Sequence, residues 1–397
     1  MTSISCEKPT TPARECGFWR RNVKLLTLGA TVIVAALMLV YAYLQQFGDA
    51  RPRLAFELSP KGQNQSCLLF SPDGKFLIVG SRGMGGSDRT AEQSEGELSI
   101  WQISSKEKKH VVSTTQHIRS VSFPRNGDFL AVAVGGPKDV DANLKREGKP
   151  REVRIYSFPG MKEKARIPSQ RYVTSAIFSP DGKLLAIATE SDEAGEPAKV
   201  EVLDAETLKP KYVIDDLSAR RTALRFSTDG SLLALIDSKK HPKIEAKFPT
   251  RAGQPVFRIV NSANGDLKRI VEAGRPVDST VTDFWLVPDD KNLIANFQHE
   301  ILMITDGAEP TRMPDRKFRT SKRDLALSSD GQLLAIGVGP SSGRPEIPSH
   351  VIIWDVKAKK TRYEWPWNEP SAHCVAISPD KKFLAVGSDK VYLFELK

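Results

Sequence analysis

The pentapeptide GPSSG at residues 339–343 fits the pattern Gly-x-Ser-x-Gly, in which a serine can act as a nucleophile, and His350 follows it. That chemistry requires a strand that turns sharply into a helix, so that the serine is exposed beside a base. The segment RPEIPS follows instead, and its two prolines oppose a helix. We therefore interpret Ser341 as a loop residue and predict no catalytic residues.

Phosphate and metal sites are equally weakly supported. The glycine-rich GMGG at 83–86 is not followed by a helix that would direct backbone amides at a phosphate. No HExxH or CxxC spacing occurs among the four cysteines and the six histidines, which stand at 110, 117, 241, 299, 350 and 373. We predict no metal and no cofactor; the alternative is a channel-lining metal site at Asp283 and Asp324.

A repeated hairpin provides the elements that would position any such residue. The stretch FSPDGKFLIVGS at 70–81 returns as FSPDGKLLAIAT at 178–189, with weaker copies elsewhere. Proline favours the first turn position, aspartate caps the turn, and glycine accepts a positive φ, so each copy predicts a tight hairpin. A mean spacing of about 51 residues, typical of repeat architectures, separates the turn positions 74, 127, 182, 230, 290, 331 and 381.

Each period contains further strands. A third apolar run, such as VIIWDV at 351–356, occurs in all seven periods, and a fourth, such as KHVVST at 109–114, occurs in six. The predicted fold class is therefore all-β: a seven-bladed β-propeller of four-stranded antiparallel blades over residues 53–397. Since the last period lacks a fourth strand, we expect residues 53–59 to supply it and close the ring.

The repeated turn and the ending of VIIWDV, with Trp354 and Asp355, resemble the WD-repeat family over about residues 53–397. The resemblance implies the propeller fold. Only this repeat has the WD dipeptide, and the family's Asp/His/Ser/Trp hydrogen-bond set is partial in the last blade, as His373, Ser388 and Asp389.

The N-terminal region predicts a membrane anchor. Residues 25–44 carry no charge and would span about 30 Å as a helix, the thickness of a bilayer core. We predict one transmembrane helix there, between a cytoplasmic tail (1–24) and a linker (45–52). The tail is positively charged and the far flank is neutral, so the positive-inside rule places the propeller on the exoplasmic side. A cleaved signal peptide is the alternative, although its apolar run usually spans about 7–15 residues.

Four insertions follow the second strand of a blade, at 82–96, 136–150, 238–254 and 339–349. Loops this long are uncommon, and binding residues concentrate on loops held by a rigid scaffold. All four leave the face opposite the SPDG turns. The predicted interaction residues there are Arg82, Met84, Asp88, Lys138, Asp141, Lys145, Arg146, Lys240, Lys243, Lys247 and Arg344. Because the linker meets the propeller at the SPDG face, we expect that face to lie toward the membrane.

The predicted function is a non-catalytic scaffold that binds a protein or another macromolecule through these loops. Basic stretches at 238–251 and 314–324 could attract an anionic partner. Nucleic acid is disfavoured as a partner, because the predicted topology places both stretches outside the cytoplasm. The alternatives are a propeller enzyme or small-ligand binder with a site near the axial channel, and an assembly factor of the cell envelope.

Cys67 and Cys374 stand at equivalent positions, each five residues before a turn proline. Equivalent side chains in a ring point in the same rotational direction, whereas a disulfide needs Cβ atoms about 4 Å apart. We therefore predict two buried free thiols.

Overall fold

The structure is a computed structural model whose described residues all belong to the unit Pro52–Lys397. It describes residues 52–60, 65–81, 96–114, 117–135, 151–190, 196–219, 222–239, 254–274, 281–289, 291–297, 300–313, 323–339, 349–367, 369, 372 and 374–396. Within these ranges, no helix has the length and apolar character needed to cross a membrane. The predicted anchor at 25–44 lies outside the described residues.

The described chain forms twenty-eight strands. In chain order they are β1 (Arg53–Leu58), β2 (Gln65–Phe70), β3 (Phe76–Ser81), β4 (Gly96–Gln102), β5 (Glu107–Thr114), β6 (Ile118–Ser122), β7 (Phe129–Val134), β8 (Arg151–Ser157), β9 (Glu163–Ser169), β10 (Tyr172–Phe178), β11 (Leu184–Glu190), β12 (Lys199–Asp204), β13 (Pro210–Ile214), β14 (Leu224–Phe226), β15 (Leu232–Lys239), β16 (Gln254–Asn261), β17 (Leu267–Glu272), β18 (Val281–Leu286), β19 (Asn292–Phe297), β20 (Ile301–Thr305), β21 (Thr311–Arg312), β22 (Arg323–Leu327), β23 (Leu333–Val338), β24 (Ser349–Asp355), β25 (Lys360–Trp367), β26 (Cys374–Ile377), β27 (Phe383–Gly387) and β28 (Val391–Glu395).

These strands form seven four-stranded antiparallel sheets, which we number as blades 1 to 7. Blade 1 is β2–β5, and each following set of four strands forms the next blade up to blade 6, β22–β25. Blade 7 combines β26, β27 and β28 with β1. The predicted all-β fold of seven four-stranded antiparallel blades is therefore confirmed. We label the strands of a blade a to d in this order, from the axis outward.

Blade 7 is built from both ends of the described chain. Strand β1 pairs antiparallel with β28, so that Arg53 lies opposite Glu395 and Leu58 opposite Val391. Lys390 adds an exposed ion pair to Glu57 at 3.1 Å. The pairing covers the edge of β28, which would otherwise offer unpaired backbone groups to another chain.

The hairpin between strands a and b has the same hydrogen bonds in several blades. In blade 1, the Ser71 hydroxyl donates to Asp73 at 2.6 Å and accepts from the Phe76 amide at 3.0 Å. Asp73 also accepts from the Lys75 amide at 3.0 Å, and Gly74 adopts φ +70°. Equivalent serine–aspartate pairs recur at Ser179, Ser227, Ser328 and Ser378. Short-range turn chemistry thus explains why the motif repeats.

The hydrophobic core lies between blades. Seven clusters of buried side chains each combine residues of two neighbouring blades. For example, Ile78 and Ile100 of blade 1 pack with Leu130 and Tyr156 of blade 2. Such burial, at roughly 25 cal/mol per Å² of apolar surface, is what holds adjacent blades together.

Cys67 and Cys374 are both free thiols, as predicted, with Cys374 buried and Cys67 partly buried. Burial raises the pKa of Cys67 to about 12. Each sulfur lies against a glycine of the neighbouring strand, Gly80 for Cys67 and Gly387 for Cys374. A Cβ added at either glycine would lie only 2.5 Å from the sulfur. The two thiols are therefore core residues that pack on glycine.

Candidate functional site

The connections between strands b and c leave one rim of the propeller, which we call the long-loop rim. Strands b and c run antiparallel in every blade, so these connections emerge on the same side. The four insertions join β3 to β4, β7 to β8, β15 to β16 and β23 to β24. Gly96, Ser238, Lys239, Gln254 and Ser349 belong to the flanking strands and shorten the loops expected from the sequence.

The predicted interaction residues lie outside the described residues. They are Arg82, Met84, Asp88, Lys138, Asp141, Lys145, Arg146, Lys240, Lys243, Lys247 and Arg344. The structure describes the strands that flank these segments, and those strands share the long-loop rim. The predicted surface therefore remains a prediction from the sequence.

The residues considered for catalysis and metal binding do not form a common site within the described chain. Ser341 lies outside the described ranges, while His350 stands in β24 opposite Val338. His110 lies in strand d of blade 1, opposite Ile100. In the described segments, no three His, Cys, Asp or Glu side chains are grouped closely enough to hold a metal ion.

Charged side chains on the a strands form the best-defined polar arrangement. The a strands of neighbouring blades contact one another, as β2 does with β6 and β26, and so surround the axis. Arg225 on β14 donates through Nη2 to both Asp283 oxygens on β18, at 3.0 and 2.8 Å. Its guanidinium also lies over the Trp285 ring at 4.3 Å from the centroid. The Arg225 guanidinium of blade 4 thus links this blade to blade 5.

Asp324 on β22 brings a second carboxylate to this region. Its Oδ2 accepts a hydrogen bond from the Val375 amide of blade 7 at 2.9 Å. Burial raises the pKa of Asp324 to about 7, and the negative charge of Asp283 adds to the effect. We call Arg225, Asp283 and Asp324 the axial charge cluster.

The axial charge cluster can exchange a proton near neutral pH, because Asp324 titrates there. Arg225 already occupies the position at Asp283 where a metal cation would be held. The ion pair therefore opposes the metal site considered for Asp283 and Asp324.

Sequence reasoning placed Asp283 and Asp324 at the axis but missed Arg225 and Trp285. All four lie within a few residues before the turn of their blade, at positions that the repeat phase assigns to strand a. A search for charged and aromatic side chains at those phased positions would have found them.

Comparison with known proteins supports the architecture. The family model "WD domain, G-beta repeat" matches residues 57–91. No curated protein sequence matches the chain.

Two solved structures with similar folds come from different organisms. Hydrazine synthase of Kuenenia stuttgartiensis is 15% identical, with a TM-score of 0.62 over 86% of this chain and 98% of that chain. The β-propeller domain of Cps50 (Swd1) from Myceliophteria thermophila is 14% identical, with a TM-score of 0.62 over 87% of this chain and 100% of that chain. At such identities the likeness concerns the fold alone.

Proposed function

We propose that this β-propeller, which resembles the WD-repeat family, is a non-catalytic scaffold for protein interactions. WD-repeat propellers commonly serve this purpose. The partner is a protein or another macromolecule, and it binds the loops of the long-loop rim.

One observation carries this proposal. The four long insertions join b to c strands in blades 1, 2, 4 and 6, and all of them emerge on one rim. The opposite rim has only short turns within the described chain, built from repeated Ser–Asp hydrogen bonds. A rigid ring that concentrates its long insertions on one rim is suited to binding a macromolecule there.

The proposed scaffold is tethered to a membrane by residues 25–44, with the long-loop rim pointing away from the bilayer. The apolar length of 25–44 and the basic tail support the tether and its orientation. Strand β1 begins at the rim of short turns, since Arg53 lies opposite Glu395. A reporter fused after Lys397 that is active only in the cytoplasm would refute this topology.

Loop deletion tests the interaction surface. Segments 82–95, 136–150 and 240–253 are replaced together by short Gly-Ser linkers, and folding is checked by thermal unfolding. Crosslinking pull-downs from the native host then compare the variant with the parent chain. Loss of the parent's partners is expected, whereas recovery of the same partners by a folded variant contradicts the proposal.

A second candidate function is a small-ligand site at the axis, and the axial charge cluster is the observation that favours it. Arg225, Asp283 and Asp324 combine a cation with a carboxyl that titrates near neutrality. Native mass spectrometry of the purified full chain tests this alternative. A stoichiometric small molecule that is lost in Asp324→Asn would favour it over the scaffold.

A further inference from the structure

The rim of short a–b and c–d turns, which we call the tight-turn rim, has two sectors that differ in net charge. In blades 6, 7 and 1 its exposed basic side chains include Arg53, Lys75, Lys106, Lys357, Lys359, Lys360 and Lys382, beside the exposed carboxylates Asp73, Glu107, Asp330, Asp380 and Glu395. In blades 4 and 5 the exposed carboxylates include Asp229, Asp266, Asp289, Asp306 and Glu309, and the exposed lysines described there are Lys268 and Lys291. We call these the basic sector and the acidic sector.

Internal ion pairs neutralise little of the basic sector. Lys75 and Lys382 pair with turn aspartates at 3.7 and 3.3 Å, but both lysine side chains are 74% exposed and strongly screened by water. Lys357, Lys359 and Lys360 form no ion pair with any described residue. The positive charge of these three lysines is therefore available to an external partner.

Backbone conformation singles out two of these lysines. In blades 1 to 6, each c–d turn contains one residue with positive φ, a region that is unfavourable for a non-glycine residue. The residues are Lys106 (+59°), Met161 (+52°), Leu208 (+56°), Gly265 (+80°), Gly307 (+73°) and Lys359 (+51°).

Glycine occupies this position in the acidic sector, where it avoids the strain. Met161 and Leu208 are partly buried and pack against the core between blades. Lys106 and Lys359 are exposed, so burial in the core does not explain their presence at strained positions. Strain that burial does not offset points to a functional role for the two side chains.

An apolar groove lies inside the basic sector, where β1 meets the turns of blade 1. Its cavity of about 410 Å³ is lined by Phe56, Ile103 and Phe383, with Lys75, Lys106 and Glu395 beside them. The Lys106 ammonium lies 5.0 Å from the centre of the Phe56 ring. Apolar surface flanked by lysines matches the boundary between the acyl chains and headgroups of a bilayer.

We infer that the basic sector is a docking surface for an anionic lipid bilayer. The inference rests on the proposed membrane tether, because the linker 45–52 joins β1 and would reach at most about 28 Å. Anionic headgroups attract lysines near the surface, and the attraction is lost beyond a Debye length. The tether would hold the sector within that range, and repulsion of the acidic sector would tilt the ring so that blades 6, 7 and 1 contact the bilayer.

Lysine footprinting of the full chain tests the inference. The protein is reconstituted into nanodiscs of phosphatidylcholine with or without phosphatidylglycerol, and acylation of each lysine is followed by mass spectrometry. We expect Lys357, Lys359 and Lys360 to react about fivefold more slowly on the anionic discs, with the protection lost at about 1 M salt. Lys268 and Lys291 in blades 4 and 5 should react equally on both. Equal rates for the basic-sector lysines would overturn the inference.

Variants separate this contact from folding. Lys106→Gly/Lys359→Gly relieves strained positions, so it should fold with a Tm at least equal to that of the parent while Lys357 and Lys360 lose most of their protection. The matched control Lys268→Ser/Lys291→Ser removes the same charge from blades 4 and 5 and should retain protection. A glycine variant that is protected as well as the parent contradicts the inference.

Failure of the tether gives a different result from failure of the docking surface. A full chain that does not incorporate into nanodiscs refutes the tether. The same footprint on added anionic and neutral vesicles then decides the docking surface: protection by anionic vesicles alone supports it, and equal labelling overturns it.

Discussion

Neighbouring a strands are linked by different chemistry in the two halves of the ring. In blades 1 to 3, neutral hydroxyl groups link neighbouring a strands. Ser66 donates to the Ile118 carbonyl at 2.9 Å, and Ser120 accepts from the Ala176 amide at 2.9 Å. Arg119 on β6 also lies over the Tyr172 ring of β10, 4.9 Å from its centre. Because the hydroxyl groups are neutral and arginine stays protonated, the strength of these links does not depend on pH.

In blades 4 to 7, the links between a strands are charged. Arg225 binds Asp283 through two short contacts, and Asp324 accepts from the Val375 amide. Charged hydrogen bonds are about twice as strong as neutral ones, but partial burial makes each charge costly when its partner is lost. The a-strand contacts of blades 1 to 3 therefore add a stability that does not vary with pH. Those of blades 4 to 7 add a stability that depends on the ionisation of their side chains.

The largest expected effect comes from breaking the ion pair in the charged half. Arg225→Met leaves the Asp283 carboxylate without its guanidinium. The two side chains are only 23% and 27% exposed, so we expect a loss of about 2–3 kcal/mol in the free energy of unfolding. Urea unfolding measures the loss. The double variant Arg225→Met/Asp283→Asn should recover part of it, and a single variant as stable as the parent would show that the pair contributes nothing.

The pH dependence of the charged half should be visible at Asp324. Its folded pKa of about 7 lies above the value of 3.8 expected for an unperturbed carboxyl. The folded state therefore favours the protonated form, and stability present below about pH 4 is lost as the pH rises through about 7.

Asp324→Asn removes this titration and retains an oxygen for the Val375 amide. The variant should exceed the parent by about 1–3 kcal/mol at about pH 8 and match it near pH 4. Thermal unfolding across this pH range measures the difference. If the stability difference between the variant and the parent did not change with pH, ionisation of Asp324 would not affect folding stability, and the hypothesis would be refuted.

A smaller effect is expected in the neutral half. Ser120→Ala leaves the Ala176 amide without its hydroxyl acceptor, which should cost about 1 kcal/mol at every pH. Chemical unfolding at two pH values checks both the size and the constancy. The exposed turn residue Ser104 provides a control, since Ser104→Ala should change stability by less than about 0.5 kcal/mol.

The smallest effect is expected at Thr174, whose hydroxyl makes long contacts. It lies 3.2 Å from the Ala188 carbonyl and 3.4 Å from the Thr222 carbonyl. Thr174→Val keeps the side-chain volume and removes these weak bonds, so we expect a loss below about 1 kcal/mol, measured as a shift in the urea midpoint. A loss greater than that of Ser120→Ala would reverse the ranking of the two neutral links.

Much of the blade arrangement could be predicted because its signals are local. In the turn that includes Ser71, Asp73 and Gly74, all hydrogen-bond partners lie within five residues of one another. The axial contacts have no such local signature: Arg225 and Asp283 are 58 residues apart and meet only because their blades are neighbours. The repeat phase could place both on a strands, but it could not pair them.

The sequence by itself determined the hairpin, the number of blades and the separation of long insertions from short turns, because turn chemistry and strand period act over a few residues. Only the tertiary structure decided that Arg225 pairs with Asp283 and that the pKa of Asp324 is raised. It also brought the lysines of blades 6, 7 and 1 into one sector. These properties depend on desolvation and on distances between separate blades, which exist only once the ring is closed.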